Sequence, residues 1–176
     1  KWSEKYTIIF NSGNADSSSK TNELTNIIQS ATSNCISNII LANNIYRAKP
    51  GYGIKGGTAS AKGELTLELN TTYSISTLTI YAACYANKTD STKNYGITVC
   101  NQQIDWHPNH RTDIMPYTLT LNRTINTIAI SANNAKNNRW YVAKIEFELN
   151  TPQTQQASIE MPYLLDLGSQ ALVDGE

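Results

Sequence analysis

Charge is scarce in this chain, and what there is cancels. Fourteen basic residues stand against fourteen acidic ones, and charged side chains make up only 16% of the 176 residues. A neutral chain has no electrostatic reason to seek a nucleic acid or an acidic membrane surface, so no nucleic-acid partner is expected. Long apolar runs are missing too. Nothing approaches the roughly 18 residues of a membrane span, so no transmembrane segment is expected. No secretory signal is recognisable, and Lys1-Trp2-Ser3 does not read as a native start. The expectation is a mature protein or an excised piece, which leaves room for a lipid anchor or further domains.

The chemistry of catalysis is equally thin. There is no GxSxG elbow, no HExxH, no P-loop and no dinucleotide fingerprint. No spacing favours a cysteine–histidine nucleophile. The close carboxylate pairs Glu64/Glu68 and Glu146/Glu148 read as the wetted side of strands rather than as a hydrolytic couple. The chain is therefore not expected to be an enzyme. Three cysteines cannot all pair with one another, and none sits in a CxxC, which excludes a zinc ribbon. Two readings stay open: Cys35, Cys84 and Cys100 as small buried hydrophobes, or a Cys84–Cys100 bridge between adjacent strands.

What is abundant is asparagine, serine and threonine, the uncharged polarity common in secreted β proteins. An extracellular or cell-surface setting is the expectation. The clearest pattern lies within Gly51 to Ala86. Leu65, Leu67 and Leu69 alternate with Glu64, Thr66 and Glu68, and Leu78 and Ile80 alternate with Thr77, Thr79 and Tyr81. This is how a sheet with one buried and one wetted face is written. We read it as two strands joined by a turn-rich connector. Further strands are expected at Lys5–Phe10, Cys35–Ala42, Tyr52–Lys55, Tyr117–Leu121, Thr127–Ser131 and Tyr141–Leu149. A hairpin is expected around Asn101-Gln102. In the last strand Ala143, Ile145, Phe147 and Leu149 should point inward. One short helix is expected over Asn22–Ser30, from the stripe Leu24, Ile27 and Ile28. Ser19 or Thr21 would cap it. The fold class that follows is all-β, a jelly-roll β-sandwich with one short helix. Residues 1–149 form that domain, 150–158 (NTPQTQQAS) read as a linker, and 159–176 as the start of a following β domain or a C-terminal tail.

The segment ISNIILANNIYRAKPGYGIKGGTASAKGELTLELNTTYSISTLTIYAACYA, Ile36 to Ala86, resembles the core of a family of surface β-sandwich domains from Bacteroides-type bacteria. The matching motifs are the glycine-flanked strand Gly51–Gly57, GELTLEL at Gly63–Leu69, and Ile75–Ala82. TVCNQQ and RWYVAKIEF are similar to the family's strand–turn unit and closing strand. The resemblance covers roughly residues 5–149 and implies a galactose-binding-like fold close to carbohydrate-binding modules. It also implies residence in a multidomain lipoprotein, beside other β domains and in some cases an extracellular nuclease. No catalytic residue carries over. A structural calcium is a further implication, for which Glu146 and Glu148 on the closing strand are the candidate ligands.

Candidate ligand-binding residues fall in two groups. Asp105, Trp106, His107 and Arg111 lie in one polar stretch, where Trp106 would stack and the others would bond hydroxyls. Tyr81, Tyr85 and Trp140 have outward parity on their strands, and the two tyrosines would stand about 13 Å apart. Three functions are then in play: a non-catalytic carbohydrate-binding or other ligand-binding module, a structural or adhesion spacer, and an accessory domain of an extracellular nuclease. Fold analogy alone does not choose among them.

Overall fold

The structure, a computed structural model, describes residues 4–86, 92–106 and 111–150. The linker from residue 151 onward and the segment 159–176 lie outside the described residues, as does His107. The chain is all-β and antiparallel, with one short helix. In chain order the elements are β1 (Lys5–Phe10), α1 (Leu24–Ile27), β2 (Ile28–Ala31), β3 (Ile36–Asn43), β4 (Ile45–Arg47), β5 (Ile54–Gly56), β6 (Glu64–Cys84), β7 (Gly96–Val99), β8 (Gln102–Asp105), β9 (Met115–Ala132) and β10 (Trp140–Leu149). The main sheet runs β2-β1-β10-β6-β9-β7-β8, with β3 also paired to β6 and β4–β5 as a separate ribbon.

β6 and β9 organise everything else. Where the sequence suggests two strands and a connector, β6 runs unbroken for 21 residues beside the 18 of β9. Asn70-Thr71-Thr72 has the composition of a turn, but the chain does not reverse there. The register shifts instead, between Glu68 and Tyr73 and again between Ile75 and Thr77. Bulges of this kind bend a ribbon and strengthen its twist. Across the second shift, Asn122 of β9 holds φ at 48°, a left-handed conformation that asparagine tolerates. The first half of β6 pairs with β3 and the second half with β10. Leu65, Leu67 and Leu69 from one half join Ile75, Leu78 and Ile80 from the other in a single core, with Ile128, Ile130, Ile145 and Phe147. The sheet thus folds over into a sandwich whose two layers share the same two strands. Ile75 and Leu78 are both fully buried although three apart, because Ser76 is an extra residue. Its hydroxyl donates to the Glu148 carbonyl at 3.1 Å.

The helix is shorter than its stripe suggests. It ends at Ile27, and Ile28–Ala31 forms β2 against β1. The edge of β1 captures the backbone: Asn11 N donates to Ile27 O at 2.8 Å. Glu23, at the helix start, makes no side-chain cap, although Thr21 Oγ1 accepts from Glu23 N at 3.4 Å. Without a cap, one turn of helix loses to the ladder. The β7–β8 hairpin turns at Cys100-Asn101, one residue earlier than expected. Both residues have positive φ, 50° and 67°, as a tight two-residue hairpin loop requires.

Cys35, Cys84 and Cys100 are all buried and unbridged, so the bridge reading is not the one adopted. Alkylation of the unfolded, unreduced protein is expected to add three groups by intact mass. A product with one group would establish a disulfide.

Glycines at the β5 end are set by Trp140. This side chain is fully buried, 0% exposed, and its Nε1 donates to Gly63 O at 3.3 Å. A Cβ on Gly56 would run into the indole, and a Cβ on Gly63 would run into the Gly56 backbone. Gly53 lies against the Val142 backbone, with φ at 68°. The glycine-flanked motif is therefore a seat for one tryptophan and one strand.

Candidate functional site

Two of the nominated aromatics are in the core. Trp140 has inward, not outward, parity because β10 carries a register shift between Val142 and Lys144. Trp140, Val142, Ile145 and Phe147 all point in, and Ala143 is the residue at which the alternation resets. Trp106 is 2% exposed beside Tyr117, ring centroids 6.4 Å apart, and its Nε1 has no partner. Neither ring can stack on a ligand. Asp105 and Arg111 are exposed, and Arg111 pairs with Asp113 at 3.7 Å. Trp106, the residue nominated to stack in this stretch, is thus part of the core.

Tyr81 and Tyr85 do lie on the outer face, each half-buried. Register places three rows across β1, β10, β6 and β9 there: Ile9–Lys144–Tyr81–Pro116, Thr7–Glu146–Thr79–Thr118 and Lys5–Glu148–Thr77–Thr120. Tyr81 Oη donates to Glu146 Oε1 at 3.1 Å. Lys144 Nζ sits 3.4 Å from the other Glu146 oxygen and 4.4 Å above the Tyr81 ring. Glu146 is thus engaged within the protein, and Glu148 lies in the row with Lys5 and Thr77. Among the described residues, no three histidine, cysteine, aspartate or glutamate side chains gather as a metal site.

A groove of about 490 Å³ opens on this face, with Ile9, Ala143 and Lys144 in its floor and Ser12–Asn14, Gln29 and the Pro50–Gly53 turn around it. The two loops are locked together, since Gly53 N donates to Ser12 Oγ at 2.8 Å and Arg47 Nη2 to Ser12 O at 2.8 Å.

No family model matches the sequence, and no curated protein does. Among solved structures the chain is similar to carbohydrate-binding modules. One is a low-affinity xylan-binding module, CBM86, from the gut symbiont Roseburia intestinalis; it is 15% identical, with 64% of this chain and 88% of that chain covered, at a TM-score of 0.43. Another is a mutant of CBM29-2, a family 29 carbohydrate-binding module; it is 11% identical, with 84% and 93% covered, at a TM-score of 0.46. These are remote likenesses, and the chemistry of the site rests on the residues of this chain.

Beside the groove, Tyr85 joins a cluster that the sequence did not announce. Its ring centroid is 5.6 Å from that of Tyr141, which is 4.8 Å from that of Tyr52. Three cations lie over these rings: Lys49 over Tyr52 at 4.4 Å, Arg139 over Tyr85 at 4.1 Å, and Lys55 over Tyr46 at 4.3 Å and Tyr85 at 5.3 Å. Tyr141 Oη donates to Asp16 Oδ2 at 2.7 Å, and the other Asp16 oxygen accepts from Lys49 N at 2.9 Å. Burial, reinforced by that carboxylate, pushes the Tyr141 phenol far above its usual range. Burial, and next the Arg139 cation, pull the Lys55 ammonium below its usual value, with Asp16 acting the other way. The only hint in the sequence was Lys55 itself, a charge in the middle of an otherwise apolar and glycine-rich strand.

Proposed function

We propose that this chain is a non-catalytic saccharide-binding module whose ligand lies along the outer face of β1, β10 and β6. The observation that carries the reading is the open groove rimmed by Ser12, Asn14 and Gln29, with half-buried Tyr81 one strand away beyond Lys144. Saccharide rings present hydroxyls at their edges and C–H groups on their faces. A shallow site with amide and hydroxyl side chains, backbone groups and an aromatic neighbour suits both. Such a module belongs outside the cell or on its surface, where polysaccharides are met, in series with other β domains.

Affinity electrophoresis and calorimetry with a panel of plant and host polysaccharides test this. At least one neutral or acidic polymer is expected to retard the protein, and Tyr81→Ala is expected to weaken that binding by about tenfold, near 1.4 kcal/mol. The burial of Trp106 and Trp140 favours the spacer reading instead, since two stacking platforms are lost to the core. A spacer would run unretarded through every gel in the panel, and that result would remove the binding reading.

A further inference from the structure

We propose that the cluster around Lys55, Arg139, Tyr85 and Tyr52 is a subsite for the carboxylate of an acidic saccharide. The inference rests on the saccharide-binding reading and names the class of sugar.

Lys55 is a buried charge without an ion-pair partner among the described residues. Lysine is almost never buried unless paired, yet Lys55 is only 8% exposed. Its ammonium has one protein hydrogen bond, to Gly57 O at 3.3 Å, and two tyrosine rings. Among the described residues no carboxylate is within ion-pair distance of Lys55 or Arg139. Arg139 spends Nη2 on Asn137 Oδ1 at 3.2 Å, and its Nε is buried with no partner. Asp16 lies nearby, but its two oxygens hold Tyr141 and the Lys49 backbone. Lys55 is thus buried, Arg139 is half-buried against Tyr85, and neither has an ion pair among the described residues, while Asp16 offsets only part of the Lys55 charge from a distance.

Stability alone would favour an apolar side chain at position 55. A methionine would fill the same space against Tyr46 and Tyr85 without the desolvation cost. What the lysine supplies is a fixed positive field beneath half-buried tyrosine faces. A carboxylate arriving at Arg139 would meet a planar donor with a second cation behind it. Tyr52 and Tyr85 would take the ring that bears it. The groove begins one residue away: Gly53 and Ala143 line it, next to Tyr52 and Val142. A longer saccharide could run from the cluster into the groove.

Calorimetry on the full chain with an oligogalacturonate, its methyl ester and a neutral xylo-oligosaccharide tests this. The ester keeps the sugar and removes the charge. The acid is expected to bind at least about tenfold more tightly than the ester, with the gap closing at high salt. Lys55→Met is expected to abolish the preference while the protein melts no lower than the parent. Arg139→Gln is a second variant with the same expected loss. Equal affinity for acid and ester would overturn this inference and leave the groove reading standing. Competition by inorganic sulfate as strong as that by the uronate would also overturn it, as a general anion hole. Silence with all three oligosaccharides and the wider polysaccharide panel would overturn both.

Discussion

Gly56→Ala should cost about 3 kcal/mol of stability, or prevent folding at 37 °C. The added methyl has nowhere to go, because its ideal position falls 2.1 Å from Cε2 and 2.2 Å from Cζ2 of Trp140. The indole cannot step aside. It is fully buried, tied through Nε1 to Gly63 O, and walled by Gly63, which itself packs on the Gly56 backbone. Strand β5 cannot retreat either, since Gly53 beside it is in contact with the Val142 backbone. Replacing Trp140 with phenylalanine removes the ring that the methyl strikes. Alone it should be destabilising through lost packing and the lost Gly63 hydrogen bond, by about 2 kcal/mol. Combined with Gly56→Ala it should cost clearly less than the sum, by about 1 kcal/mol or more. Urea melts of the four proteins give the cycle. If Gly56→Ala melts with the parent, the seat described for Trp140 is wrong.

Raising the pH through roughly 9 to 11 should strip stability that is constant at lower pH. Five groups act in one direction. Burial pushes Cys35 up to about 11, and raises Cys100, Tyr73, Tyr117 and Tyr141 above their ordinary values. Each is protonated in the folded protein at a pH where the unfolded chain has already released its proton. The unfolded state thus binds fewer protons, and stability falls as pH rises. Cys35 alone accounts for about 2–3 kcal/mol once pH has passed through its folded value. Lys55 acts the other way, because its folded value is lowered and its desolvation cost is relieved as it deprotonates. Denaturant melts across this range should show a steep net loss. Cys35→Ala should start lower at neutral pH, from its lost packing, and then decline less steeply. Parallel curves for the two proteins would refute the assignment to Cys35.

Period-two alternation was enough to read the class of this fold, because the half-buried strands are long and their leucines and isoleucines regular. What alternation hides is the bulge. Ser76 and Ala143 each add one residue, and each flips the parity of everything beyond it. That is why Trp140 reads as outward from Ile145 and Phe147 yet lies in the core. β6 reads as two strands for another reason, the turn-like composition of Asn70-Thr71-Thr72 where the chain does not reverse. The outer face was half legible. Tyr81 and Tyr85 share the parity that the sequence shows, but their partners come from elsewhere in the chain. Lys144 and Glu146 reach Tyr81 from the last strand, and Tyr52, Lys55 and Arg139 reach the Tyr85 cluster from two further segments. No local spacing records such a meeting. Lys55 was the one residue whose oddity was visible, a cation flanked by isoleucine and glycine in a strand.

The pairing of the first strand with the last has a mechanical consequence. Lys5 lies opposite Glu148, so both ends of the folded body leave from the same end of one antiparallel pair. Tension applied between flanking segments would load the β1–β10 hydrogen bonds one at a time, like the teeth of a zip, rather than shearing them together. Hung between other domains, this body would peel open at low force from its outer edge. The pairs first parted, Lys5 with Glu148 and then Thr7 with Glu146, border the face on which a saccharide would rest. A ligand bridging β1 and β10 there would raise the force needed to start the tear.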